Sequence, residues 1–393
     1  MDEFVEVTQE APCQYFKRCG GCSSQHLKND GEYKFLQVKQ ALADLVPPAS
    51  SLTKAPKALE IGDLIKKTPE IPGRSASQLA RDEEFCGILH SIVQIPIKSR
   101  RRVTFKINQH KICFNSWHSK DLISIAECLL LEDPINQLIS PINKLIKSLK
   151  IRIDMISITN SDTGIELLLY AQERTDLATD LLITEFAKSN KVNRVAWQVK
   201  AKAPTSIIEF GPIQLQIGNI HVDLPINSFL QVSKESSNLM ATIILKHLTK
   251  AKKILELYCG CGSFTIPISS MGTITAIEGS SEAIEALNKA TKSFLLPIKT
   301  IKQDLYQNPY TASKINEYSQ VVINPPRNGA TPQIKEISKA NGVKKVILIS
   351  CSLENFIRDA RILLRSGFHL SDAYPIDQFR YSNHLEIIGI FER

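Results

Sequence analysis

"KKILELYCGCGSFTIP", Lys252 to Pro267, decides the fold. An apolar strand runs into a turn carrying Gly260 and Gly262, and apolar residues resume beyond it. Glycine lets a chain turn tightly and lets a ligand come close to the backbone. Alone, Gly-x-Gly is a weak signal. About twenty residues on, "TITAIEGS" sets Glu278 at the end of the next strand, where a carboxylate suits a ribose diol. The pair suggests a nucleoside-containing cofactor. No third glycine or basic residue is set for a pyrophosphate, so S-adenosylmethionine fits better than NAD.

Outward from this turn, strands and amphipathic helices alternate. "SNLMATIILKHL" repeats Leu239, Ile243, Ile244 and Leu248 at helical spacing. "SEAIEALNKA" reads as a helix, "VVIN" and "KKVILIS" as strands, and "EIIGIFE" as a last strand. "LENFIRDARILLRSG" reads as a helix with Gly367 placed to end it. The pattern predicts a doubly wound, Rossmann-like α/β domain over residues 227–393, with ligands beyond the carboxyl ends of its strands. Before it, "INQLISPINKLIKSLK" reads as a helix. "DMISITNS", "GIELLLYA", "RVAWQVK", "IIEFG" and "IQLQIG" read as strands alternating with loops. These predict a small α+β domain over 134–226. Residues 1–133 hold a cysteine-rich stretch, a helix from about Glu32 to Leu45 and a strand-rich segment from Val103 to Glu127. Within them, 47–97 reads as a variable insertion.

The 393 residues allow two or three domains. With 43% hydrophobic and 22% charged residues, the composition is that of a soluble globular protein. No apolar run reaches the roughly 18 residues that span a bilayer, which argues against a membrane protein. "MDEFVEVTQEAPC" is acidic and lacks the apolar centre of a signal peptide, so a cytoplasmic location is expected. The net charge of +8 fits a polyanionic partner. "KSRRR", Lys98–Arg102, reads either as a solvated face or as a phosphate contact. The alternating stretch after it tilts the reading toward nucleic acid, as a hairpin presenting Arg100, Arg101 and Arg102 on a firm edge. Nine cysteines in such a chain point to metal ligation or catalysis rather than disulfides.

The remaining strand ends carry chemistry. "KQDLY" places Asp304 as a partner for an adenine amine. "VVINPPRNG" ends a strand at Asn324. Asn-Pro-Pro before an aromatic residue serves amine methylation in some nucleic-acid enzymes, but here Arg327 follows. "KKVILISCSLENF" sets Cys351 after a strand and before a helix, whose N-terminus would lower the thiol pKa. "PIDQFRYSNHLEIIGIF" opens an apolar strand with Glu386, a carboxylate that needs a partner or a job. One activated thiol, one carboxylate and one methyl donor suffice to methylate a pyrimidine C5. The thiolate adds to C6, C5 takes the methyl group, and the base removes the C5 proton so that the thiol can leave.

These motifs together resemble the RNA 5-methyluridine (uracil-C5) methyltransferase family, which acts on bacterial 23S rRNA and tRNA. The match runs from Cys13 to the C-terminus, apart from about 47–97. "SFLQV" is similar to the family's Phe-Phe-Gln-Val, which implies a donor contact for Gln231. "ELYCGCGSFTIP" is similar to its cofactor loop, implying donor roles for Tyr258 and Ser263. Glu278 and Asp304 fall at the next two donor-binding positions. "ISCSLENFIRDARIL" resembles the nucleophile motif at Cys351, and "DQFRYSNHLEIIGIF" the motif of the base, Glu386. Asn324 stands where the family has Asp in Asp-Pro-Pro-Arg, and is expected to face the donor while Arg327 faces RNA. The nucleophile motif reads Ser-Cys-Ser-Leu in place of Ser-Cys-Asn-Pro.

Cys13, Cys19 and Cys22 put three ligands in one loop, and four thiolates would suit zinc or an iron–sulfur cluster alike. The resemblance implies a [4Fe-4S] cluster with Cys128 of "AECLLLEDP" as fourth ligand. Cys113 and Cys86 compete locally for that place. The N-terminal OB-like domain of many rRNA-modifying members is expected to be missing. The resemblance implies an S-adenosylmethionine-dependent enzyme, acting as a monomer on structured RNA. It points first to 23S rRNA and alternatively to tRNA. An amino-methyltransferase using Asn324-Pro-Pro, and a cluster-bearing RNA-binding protein without turnover, are the competing readings.

Overall fold

The structure, a computed structural model, describes residues 8–43, 45 and 88–393. Most of the expected 47–97 insertion, with Cys86, lies outside the described residues. In chain order, α1 (Asp30–Ala43) and β1 (Val93–Gln94) come first. β2 (Arg102–Asn108), β3 (Lys111–Asn115) and β4 (Leu122–Ser124) lead to α2 (Asp133–Ser148). β5 (Ile153–Asn160) and β6 (Ile165–Ala171) precede α3 (Leu177–Ser189). β7 (Arg194–Val199) and β8 (Thr205–Glu209) follow it.

Strands β2 to β8 form one sheet in the order β4-β3-β2-β5-β6-β7-β8. The apolar stripe of α2 covers it, burying Ile135, Leu138, Ile139 and Ile142 against Phe105, Ile156 and Leu167. The expected boundary at 133/134 is corrected here. β2 pairs with β5 in the register Val103↔Ile158, so the strands before residue 133 share a sheet with those after it. The expected alternation of strands and loops also omitted α3. The pair β6–β7 is parallel, and a parallel pair needs a crossover, which α3 supplies. Asp176 caps α3 by accepting from the Thr179 N–H at 2.8 Å. Leu177, Leu181 and Leu182 of α3 are exposed, so its apolar residues trace no single stripe.

A short hairpin, β9 (Gln214–Ile217) and β10 (Ile220–Asp223), leads to the C-terminal half. There α4 (Lys234–His247), β11 (Lys253–Leu257), β12 (Thr273–Glu278) and α5 (Ser281–Lys292) come first. They are followed by β13 (Ile298–Lys302), β14 (Gln320–Ile323), α6 (Thr331–Lys339) and β15 (Lys345–Ser350). Last come α7 (Leu353–Arg365), β16 (His369–Asp377) and β17 (Glu386–Glu392).

The sheet order is β1-β16-β17-β15-β14-β11-β12-β13. β11 to β15 run parallel, and β17 enters antiparallel between β15 and β16. Both faces are buried, as a parallel sheet requires. Ile254, Ile274, Val322 and Ile347 face α4 and α5. Leu255, Ile277, Val321 and Val346 face α6, α7 and, unexpectedly, α1, through Val38 and Leu42. The N-terminal helix therefore belongs to the core of the C-terminal sheet.

Candidate active site

The donor loop forms at the end of β11. Gly260 and Gly262 have φ of +55° and +93°, and a Cβ on Gly262 would lie 2.4 Å from Leu287 Cδ1. Glycine is therefore required at 262 by both backbone and space. Tyr258 is also held at positive φ, +61°. Glu278 closes β12 and faces this loop: its Oε2 accepts from the Gly260 N–H at 3.0 Å, and Oε1 from Gly279 and Ser280 at 2.7 and 3.0 Å. Asp304 lies beside Gly279 and accepts from the Tyr306 and Gln307 N–H groups through Oδ1. Gln231 is buried, and Ser228 Oγ lies 3.1 Å from Cys261 Sγ, tying the "SFLQV" segment to the donor loop. Ser263 lines a cavity of about 320 Å³ with Arg101, Asp162, Lys234 and Asn238. The Asn324 N–H donates to the Leu257 carbonyl at 3.3 Å, so the β14 end abuts the donor loop.

The buried Tyr258 hydroxyl and Glu256 Oε2 have no hydrogen-bond partner among the described residues. Buried polar atoms are rarely left so unless a ligand or water serves them. Burial raises the Tyr258 phenol pKa, and Asp304 is the next contributor. Burial pushes the Glu256 carboxyl up to about 8. This loop thus fits the expected S-adenosylmethionine site.

The second half of the site lies at the ends of β14 and β15. The register of β15 with β17 ends with Ser350 opposite Ile387, and Cys351, just beyond it, lies near enough to Glu386 for the carboxylate to act on its thiol. Glu386 is 6% exposed, and its Oε1 accepts from Gln378 Nε2 at 2.8 Å. Burial pushes its carboxyl up to about 8, against the opposing pull of Gln378 and Arg327. Burial likewise raises the Cys351 thiol, Glu386 adds to the rise, and Arg327 opposes it. The expected lowering of this thiol is therefore corrected. α7 does start just after Cys351, but its first turn is capped by Ser352, and desolvation of the sulfur outweighs it.

Arg327 is exposed, and its loop is bolted to α7. Asn355 Nδ2 donates to the Arg327 carbonyl at 2.6 Å. The buried Asp359 carboxylate accepts from the Ala330 N–H and the Thr331 hydroxyl.

The arginine run divides. Arg101 is 2% exposed; its Nε donates to the Gln231 carbonyl at 3.1 Å, and its guanidinium lies 3.5 Å from Asp162. It is an interior residue, and its expected phosphate role is corrected. Desolvation is offset here by the ion pair and the backbone acceptor. Arg102 is half-buried and donates to the carbonyl and side-chain oxygen of Asn227. The run precedes the hairpin rather than standing along its edge, because β2 starts only at Arg102. Burial lowers the Arg100 pKa, and the charges of Cys128, Arg327 and Cys22 also act on it.

Cys13, Cys19, Cys22 and Cys128 are neighbours. Burial pushes the Cys22 thiol up to about 12, with Cys128, Cys19 and Cys13 contributing in turn. The loop lies against β3, where a Cβ on Gly20 would sit 2.9 Å from the Ser116 carbonyl oxygen. Asn136 of α2 fixes Cys128 by bonding its N–H and its carbonyl at 2.9 and 3.0 Å. Cys113 is buried on β3, where Lys111 and Asn108 are its partners. Among the described residues, no group of three or more His, Cys, Asp or Glu side chains is arranged to hold a metal ion. No helix among them is long and apolar enough to cross a membrane.

Parallel strand ends carrying a glycine loop, an amide-bound Glu278 and a thiol facing a buried carboxylate define a class I, S-adenosylmethionine-dependent methyltransferase. Residues 232–340 match the methyltransferase small domain family. An uncharacterized RNA methyltransferase of Agrobacterium fabrum is 27% identical, over 95% of this chain and 82% of that protein. The 23S rRNA (uracil(1939)-C(5))-methyltransferase RlmD of Pasteurella multocida is 24% identical, over 98% and 82%. The fold is shared with the Pyrococcus abyssi tRNA (uracil-54, C5)-methyltransferase solved with S-adenosyl-L-homocysteine. That match has a TM-score of 0.67 at 16% identity and covers 94% of this chain and 85% of that one. Over nearly its whole length the chain is similar to proteins named as RNA methyltransferases, one of them a uracil-C5 enzyme.

Two features escaped the sequence reading. Gln378 sits in the quoted stretch before Glu386, but nothing in the pattern marks it as the carboxylate's partner. Phe229, two residues before Gln231, is 64% exposed, which only the fold reveals.

Proposed function

We propose that this enzyme methylates C5 of a uridine in structured RNA, with 23S rRNA as the favoured substrate, through a covalent Cys351–C6 adduct. The observation that carries the reading is the facing pair of Cys351 and Glu386, with Arg327 acting on both, beside the donor loop. S-adenosylmethionine supplies the electrophilic methyl group when bound. Gln231, Tyr258, Ser263, Glu278, Asp304 and Asn324 are its proposed contacts.

The target uridine must leave its stack to reach the thiol. The exposed Phe229 ring offers it a stacking face. The Arg327 guanidinium favours the Cys351 thiolate, which adds to C6 and makes C5 nucleophilic. A carboxyl pushed up to about 8 is a stronger base than an ordinary glutamate, which suits it to take the C5 proton. Cys351 then departs from C6. Arg327 in place of an aromatic residue after Asn324-Pro-Pro speaks for this chemistry over amine methylation.

Cys13, Cys19, Cys22 and Cys128 are proposed to hold a [4Fe-4S] cluster. What supports this is the thiols' proximity: Cys128, Cys19 and Cys13 all act on the Cys22 thiol, and four thiolates can ligate such a cluster. Uridine methylation needs no electron transfer, so the cluster would serve to build the RNA-binding face beside Arg100. Iron and labile-sulfide analysis of the purified protein tests it, and stoichiometric zinc without sulfide would overturn it.

The function is tested by methylating 23S rRNA fragments and tRNA, digesting to nucleosides and weighing them. 5-Methyluridine is expected. N6-methyladenosine would overturn the reading, and tRNA-only labelling would correct the substrate. Cys351→Ala is expected to abolish methylation while donor binding by calorimetry persists.

A further inference from the structure

Lys34 is 1% exposed on α1 and has no part in the chemistry described so far. A buried ammonium persists only where it is paired and hydrogen-bonded. Its Nζ donates to Asp377 Oδ1 at 2.7 Å and to the Phe379 carbonyl at 3.1 Å, and Asp30 Oδ2 lies 3.5 Å away. The two acceptors stand on either side of Gln378, the residue that donates to Glu386.

We propose that Lys34 is a positioning residue for Glu386: by gripping both neighbours of Gln378, it fixes the amide that orients the carboxylate. The inference rests on Glu386 being the base.

The surroundings make the grip rigid. Asp377 Oδ2 accepts from Gln94 Nε2 at 3.3 Å, and the Asp377 carbonyl accepts from the Ile95 N–H at 3.0 Å. Gln94 fits there because residue 31 is glycine; a Cβ would lie 2.4 Å from its Nε2. Arg380 Nε lies 3.8 Å from Asp377 Oδ2. Further along the same loop, the Tyr381 N–H donates to Asp30 Oδ2 at 3.1 Å, and its carbonyl accepts from Ser23 and Ser24. Bonds to α1 and to the cysteine-rich segment thus fix the loop that carries Gln378. An ion pair that merely docked α1 on the sheet would not need the Phe379 carbonyl.

The step that depends on this geometry is the last one. The Glu386 carboxylate takes the C5 proton, the C–H electron pair becomes the C5–C6 double bond, and the C6–S bond breaks to return the Cys351 thiolate. A displaced base leaves addition and methyl transfer intact and slows release, so methylated protein–RNA adduct accumulates. Loss of stability alone would lower adduct formation and turnover together.

The test uses the full chain with radiolabelled donor and RNA, resolved on denaturing gels. Lys34→Met is expected to lower turnover by about tenfold or more while labelled adduct builds up. That variant leaves carboxylates buried without their cation, so Lys34→Met/Asp377→Asn, which removes the charge of the nearer one, is measured beside it with the same expectation. Val38→Ala on the same helix is expected to lower the melting temperature without adduct build-up. Lys34 variants that turn over at the wild-type rate, or that slow without adduct, would overturn the proposal. RNA carrying 5-fluorouridine separates this from failure of the functional reading. Fluorine at C5 cannot leave as a proton, so the wild-type enzyme must arrest as adduct on it. No arrest there sinks the C5 chemistry itself, whereas arrest there with no adduct from the Lys34 variants on ordinary RNA sinks Lys34 alone.

Discussion

The proposed donor side and the proposed substrate side of the site are held in different ways. On the donor side the carboxylates are fixed by backbone amides. Glu278 binds the amides of Gly260, Gly279 and Ser280, and Asp304 those of Tyr306 and Gln307. On the proposed substrate side the groups are held mainly by side chains. Glu386 depends on Gln378, and the Arg327 loop on Asn355 and Asp359. Local turns suffice to make a rigid cradle for a small nucleoside. A proton-transfer group must be oriented without using up its reactive atom, and that calls for partners from other elements.

The sharpest way to break this comparison is Glu386→Gln. Turnover is expected to fall by roughly 10²- to 10⁴-fold, with adduct accumulating and donor affinity unchanged. In the wild type, only about a tenth of Glu386 is ionised at pH 7, given a value near 8. Its release step should therefore speed up as pH rises from 6 to 8 and level off above, measured by pre-steady-state quench. The matching donor-side change, Glu278→Ala, should weaken donor binding by about 10- to 100-fold in calorimetry and produce no adduct build-up. Arg101→Met probes the link between the halves. Breaking its buried pair should cost about 3 kcal/mol of stability by denaturant melts and raise the donor KM through Gln231, with RNA affinity unchanged. The smallest effect is expected of Asn324→Asp, which should maintain or modestly raise the methylation rate. A sharp loss would mean that the β14 end is built around the amide.

The same difference decides what the sequence could reveal. The donor loop, Glu278 and the Cys351 turn are local patterns of strand, glycine and helix, so they are legible residue by residue. Lys34 and Asp359 act across long stretches of chain, and although Gln378 is near Glu386 in sequence, no spacing announces any of the three. Arg101 shows the converse. Its place in a run of basic residues suggested exposure, yet Asp162 and the Gln231 carbonyl, both distant in sequence, draw it inside. The α3 helix was hidden because three of its leucines face outward, and the 133/134 boundary failed because strand pairing ignores chain order. The cysteines fall between these cases: the loop of three is local, while Cys128 joins them only through the fold.

The short β1 strand has a consequence for the molecule as a whole. β16 would otherwise end the large sheet with a row of unpaired backbone groups, a template on which a second chain could add a strand. Residues 88–95 use up that row: Ala373 bonds Ile88 and His90, and the Asp377 carbonyl takes the Ile95 N–H. Two residues of formal strand thus stand at the β16 edge, so the edge offered there is short, while β13 ends the opposite side of the sheet.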